Sequence, residues 1–309
     1  MPSWGELLAK IDGQSVNFDE LRLSALQRLS STSNRPVIAY YSSFLQPKTQ
    51  ESAETAINLA DIQGLMEVFR HLPGPNLDLI LHSPGGQAEA TDSLVRYMRA
   101  RYSNIRVFVP LAAMSAATMW AMAADEIIMG KESQLGPIDP QVTLPNLQVP
   151  AGALLEQFET AAKECAAEPG RIAAWLPTLQ QYPPGLLNIC KSASELSKEL
   201  VKQWLTNYMF QGDESRASDV AAWLADDKTH LSHSRAIRYE DLKQKGVKVT
   251  PLEDDPDLQD AVLTLHHLYM LTFQLSPALK IIENSKGSRY IVNAPVVSQT
   301  LQQPAISPS

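Results

Sequence analysis

A chain of 309 residues, 44% hydrophobic and 19% charged with 21 prolines and 14 glycines, buries a full core without covalent staples and is too apolar for global disorder. Its formal charge of −8 argues against a protein built to grip nucleic-acid phosphates, which draws on clustered Lys and Arg. Two cysteines, Cys165 and Cys190, are too few for a disulfide framework or a Cys-rich zinc site and fit a reducing cytoplasm.

The opening MPSWGELLAKIDGQ lacks the basic-then-apolar pattern of a signal peptide. No run of about 18 apolar residues offers a membrane span, so the expectation is a soluble, cytoplasmic protein. Residues 1–35 carry a helical pattern, with Leu21, Leu23, Leu26 and Leu29 among charged residues, and read as an N-terminal helical arm. From Pro36 the order becomes strand 37–41, helix 57–72, strand 77–83, helix 88–102, strand 105–110, helix 115–124 and strand 126–130. Short apolar strands separated by helices predict an α/β fold: a repeated β-α-β core with a mainly parallel sheet, covered on both faces, and ligands at the carboxyl ends of the strands.

Beyond GPIDPQ (136–141) the character changes, and 151–226 reads as an additional, largely helical region interrupted by the turn-forming LPTLQQYPPG. Residues 235–253 predict a short helix ending at Gly246 and then a strand, closing a main domain expected over 36–253 that includes the helical region. An amphipathic helix over 259–285 and a frayed tail, VSQTLQQPAISPS, complete a C-terminal unit of 254–309.

Two loops fall at predicted strand ends, HSPGGQ (82–87) and PLAAMS (110–115). The glycines of SPGG turn the chain sharply and present bare N–H groups suited to an oxyanion, although alone the tetrapeptide is an ordinary turn. Ser115 stands before an Ala-rich helix whose amino end stabilises developing negative charge, although Ser there is also a favoured N-cap. The two loops together shift the balance toward chemistry.

HSPGGQ, then AAMSAATMWAMAADEIIM, then SQLGPIDPQ resemble the core of the Clp proteolytic-subunit (ClpP/crotonase) superfamily, and more narrowly the serine dehydrogenase proteinase family, with signal peptide peptidase A as a cousin. The match in order and spacing spans about 36–141, with weaker support at 232–249. The resemblance implies that Ser115 is a nucleophile, and that amides of Gly85 or Gly86 together with Ala116 form the oxyanion hole. Alanines at 113 and 117, where many serine hydrolases keep glycines, are a departure.

A Ser hydroxyl requires a general base within hydrogen-bond reach. The Clp triad histidine is missing, because Ile138 stands at about its place. His233 in THLSHSRAIRYED is the favoured substitute, since it precedes a helix resembling the segment of the Clp triad aspartate and the serine dehydrogenase proteinases have a similar His motif there. His230 ranks below it. Asp139 suits orientation of an imidazole but equally suits a turn between two prolines. The signal peptide peptidase relatives use a Ser–Lys dyad, and Lys163 is the nearest counterpart by spacing, ahead of Lys131. A catalytic lysine needs desolvation, however, and a helical Lys is ordinarily solvated.

His266 and His267 lack a carboxylate at ligand spacing, LEDDPD (252–257) reads as a solvated loop, and SPGG lacks a nucleotide fingerprint, so neither metal nor cofactor is expected. The leading reading is hydrolysis of peptides or unfolded protein by a homo-oligomer whose contacts the helical region supplies. Two alternatives remain: an acyl-CoA enzyme of the crotonase branch, and a non-catalytic assembly module of the same fold.

Overall fold

The computed structural model describes residues 5, 17–46, 53–144 and 147–295. Much of the expected arm, and the tail 297–309, lie outside the described residues. Helix α1 (Phe18–Ser33) opens at Asn17, whose side chain accepts the Glu20 N–H, and stops at Asn34 in the left-handed conformation. Then follow β1 (Val37–Ser42), α2 (Asp61–Val68), β2 (Asn76–His82), α3 (Ala88–Arg99), β3 (Asn104–Val109), the short β4 (Ala112–Ala113), α4 (Ala116–Met122) and β5 (Glu126–Met129). After them come β6 (Gln134–Leu135) and a hairpin of β7 (Gln141–Leu144) and β8 (Leu147–Pro150). The helical layer is α5 (Ala151–Ala167), α6 (Ile172–Leu179), α7 (Leu186–Asn207), α8 (Glu214–Leu224) and the one-turn α9 (Asp227–His230). The chain closes with α10 (Tyr239–Gln244), β9 (Val249–Pro251), α11 (Pro256–Leu275), β10 (Ala278–Asn284) and β11 (Arg289–Asn293).

Seven strands form one sheet in the order β11-β10-β1-β2-β3-β5-β9. The five from β1 to β9 are parallel, as the repeated β-α-β pattern predicts. Their side chains alternate between two cores. Ile38, Tyr40, Leu77, Leu79, Leu81, Val107 and Val109 face the side of α2, α3, α4, α7 and α8. Val37, Ala39, Tyr41, Ile80 and Phe108 face α1 and α11. That division is the period-two geometry of a strand buried on both faces, which explains the almost unbroken apolar runs. The exception in β2 is Asp78, fully buried, which takes Nε of Arg35 at 2.8 Å and Nη2 of Arg106 at 2.7 Å.

One expectation is overturned. The helix read over 259–285 ends at Leu275, and Ala278–Asn284 is a strand antiparallel to β1, extended by the hairpin to β11. Pro277 forces the stop, because the residue before a proline is driven from the α region, and Ser276 sits at φ −134°, ψ 167°. The apolar run of the buried β10 continues that of α11, and periodicity does not separate a buried helix from a buried strand. The helix expected over 57–72 is also shorter, because 53–58 forms a strap that reaches the SPGG loop at Gly86.

Candidate active site

The SPGG loop leaves the carboxyl end of β2 and is stitched to the neighbouring loop, since Ser83 N–H donates to Ala112 O at 3.1 Å and Met114 N–H to Ser83 O at 3.0 Å. Gly85 (φ 97°) lies against the Ser115 turn so closely that a Cβ there would stand 2.5 Å from Met114 O and 2.8 Å from Ser115 Cβ. Gly86 (φ 154°) lies against the backbone of Ile57, which leaves no room for a side chain. Ile57 N–H donates to Gly85 O at 2.7 Å and Gln87 N–H donates to Ile57 O at 3.0 Å. Gly85 N–H is engaged by Ser83 Oγ at 3.2 Å. The amides of Gly86 and Ala116 have no acceptor among the described residues.

Ser115 precedes α4 with φ 52° and ψ −120°, a conformation costing a non-glycine residue on the order of 1–3 kcal/mol. Its side chain makes no capping bond, so the N-cap alternative does not account for the hydroxyl. The turn tolerates the alanines at 113 and 117 by burying both fully, and Thr118 locks it by donating to Ala113 O at 2.8 Å while accepting Gly136 N–H at 2.9 Å.

Ser115 opens onto a cleft of about 510 Å³ shared with Gly85, Gly86, Ala116 and His233, with Met119, Ile138 and Leu196 as apolar walls. His233 Nδ1 lies 2.8 Å from Asp139 Oδ1, and Gln141 Nε2 donates to the other carboxylate oxygen at 2.6 Å. Asp139 is almost wholly buried and His233 partly open. A carboxylate held from both sides fixes the tautomer that protonates Nδ1 and leaves Nε2 as the acceptor. The two residues are 94 positions apart. A two-way backbone bridge between Leu135 and Ile237, 2.9 Å in each direction, draws the His233 segment to the loop of Asp139. Ile138, next to Asp139 in the chain, lines the cleft as an apolar wall.

The other candidate bases lie elsewhere. The Lys163 side chain is 80% exposed, 3.8 Å from Glu159, and does not line the cleft. Lys131 is exposed, and His230 is buried with Nε2 2.8 Å from Trp223 O. His266 is buried against Tyr41 and His82, and among the described residues no group of His, Cys, Asp and Glu is arranged to hold a metal. Sequence reasoning missed Gln141 and the strap at Ile57, both ordinary residues given a role only by what they touch.

The model of the ClpP-like SDH-type serine proteinases matches residues 55–289. This chain belongs to that family. It is 28% identical over 256 residues to the uncharacterized protein MJ0137 of Methanocaldococcus jannaschii, covering 80% of this chain and 78% of that one. It is 30% identical over 194 residues to MJ1495 of the same organism, covering 62% of this chain and 59% of the relative. Among solved structures, a mutant of the 1510-N membrane-bound stomatin-specific protease aligns with TM-score 0.38 and 14% identity over 74% of this chain and 84% of the other. Among the described residues no helix is long and apolar enough to cross a membrane. Every residue that lines the cleft falls within the matched segment.

Proposed function

We propose that the protein cleaves peptide bonds with Ser115 as nucleophile, His233 as general base, Asp139 as its orienting carboxylate, and the amides of Gly86 and Ala116 as oxyanion hole. Ser115 Oγ attacks the scissile carbonyl carbon while His233 Nε2 takes its proton. The carbonyl oxygen becomes an oxyanion facing the two amides, and Asp139 stabilises the imidazolium. His233 then gives the proton to the departing amine nitrogen, the C–N bond breaks, and water repeats the sequence on the acyl-enzyme. The apolar walls Met119, Ile138 and Leu196 suit an apolar side chain of an extended polypeptide.

The observation that carries this reading is the His233–Asp139 pair on the cleft of a Ser115 whose hydroxyl is not spent on capping. A homo-oligomer is part of the proposal, because α6 buries none of its residues and leaves Ile172 and Leu176 largely exposed.

A fluorophosphonate probe and an unfolded protein substrate test the assignment together. Wild type labels and cleaves; Ser115→Ala abolishes both, His233→Ala lowers both by on the order of 10³-fold or more, and Lys163→Ala changes neither. Folded wild type that neither labels nor cleaves overturns the proposal in favour of the acyl-CoA or non-catalytic reading.

A further inference from the structure

Behind the oxyanion loop lies an ion pair that the proposed chemistry does not touch. Lys280 on β10 and Asp61 at the start of α2 are both excluded from solvent and meet at 2.7 Å. Lys280 Nζ also donates to Ala56 O at 2.8 Å. Asp61 Oδ2 accepts Tyr40 O–H at 2.7 Å and Asn58 N–H at 3.1 Å. Ser42, opposite Lys280 in the β1–β10 pairing, donates its hydroxyl to Thr55 O at 2.7 Å. The strap is therefore pinned on both sides of Ile57. Ile57, fully buried, spends its own N–H on Gly85 O and its carbonyl on Gln87 N–H, bracketing Gly86.

We infer that Lys280 and Asp61 are positioning residues for the oxyanion loop: the buried pair fixes the strap, and the strap sets the direction of the Gly86 amide. The inference rests on the proposed active site. Two features favour alignment over stability alone. Burying an ion pair is a poor route to stability, since an apolar or neutral replacement of both partners is often equally stable. Here two of the pair's three remaining hydrogen bonds, those with Ala56 O and Asn58 N–H, fall on the strap backbone, and a pocket that stabilises charge at a defined point loses rate when its donor shifts by a fraction of an ångström.

The test separates folding, alignment and the active-site reading. Lys280→Met leaves a buried carboxylate unpaired and lowers the melting temperature, whereas Lys280→Met/Asp61→Asn returns it close to wild type. In the double variant kcat for peptide cleavage and the rate of fluorophosphonate labelling at Ser115 fall at least tenfold with KM within about twofold. Amide exchange at Ile57 and Gln87 quickens while that of β3 is unchanged. Tyr40→Phe, which removes one hydroxyl, gives the same changes in smaller measure and serves if the double variant does not fold. A folded double variant with wild-type kcat, labelling and exchange overturns the inference. If wild type itself does not label, the active-site reading fails, and unchanged exchange at Ile57 and Gln87 still overturns the claim that the pair holds the strap.

Discussion

At the scale of single residues, the site is distinguished by bonds that are spent and bonds that are not. Gly85 and Gly86 look alike in the sequence, yet the first gives its amide to Ser83 Oγ and the second finds no acceptor among the described residues. Gly86→Ala therefore forces a methyl group into the Ile57 backbone, and the expected result is loss of labelling at Ser115, read by mass spectrometry of probe-treated protein. Asp139→Asn keeps the shape of the side chain but removes the charge that fixes His233. The expected fall in kcat is on the order of 10³- to 10⁴-fold with little change in KM, from steady-state kinetics.

At the scale of elements, β2 carries both the SPGG loop and a buried histidine. His82, its last residue, is fully buried among the rings of Tyr41, Phe44 and His266, and burial pushes its pKa down to about 3 from the ordinary 6.5. The unfolded chain binds a proton there below about 6.5, and the folded protein does not until about 3. Stability present above the upper limit is therefore lost as pH falls through that window, by up to about 1.4 kcal/mol per pH unit for this group. Burial lowers the pKa of His266 in the same direction. Calorimetric melting temperatures should fall from pH 6.5 toward 4, and His82→Leu should make that fall shallower without removing it.

At the scale of the whole molecule, the sheet is a scaffold whose parallel strands deliver two loops to one edge, while the helical layer closes the cleft through Leu196. The same layer exposes α6. Replacing Ile172 and Leu176 together by Glu places charge on a face that touches little of its own chain. Sedimentation should show a smaller particle than wild type, at a melting temperature lowered only by the lost assembly. Unchanged sedimentation would remove the support that α6 lends to the proposed homo-oligomer.

Local pattern was enough to specify the parallel core, because continuous apolar strands spaced by helices have few other ways to be buried, and to locate Ser115 and the SPGG turn, because both are local motifs. The sequence also named His233 as the favoured base, Asp139 as a carboxylate suited to orient an imidazole or to sit in a turn, and Lys163 as the alternative base. The meeting of His233 and Asp139 at 2.8 Å is tertiary: it depends on the Leu135–Ile237 bridge between segments about a hundred residues apart, and no local pattern encodes such a closure. Pro277 marks the end of α11 locally, but that the apolar run beyond it is a strand was decided by the sheet, since such a run serves a buried helix and a buried strand equally until β1 offers its unpaired edge. Which glycine amide lacks an acceptor among the described residues, and that Lys280 reaches Asp61 and Ala56 O, are set only by the folded chain, because both depend on which partners the folded backbone leaves within reach.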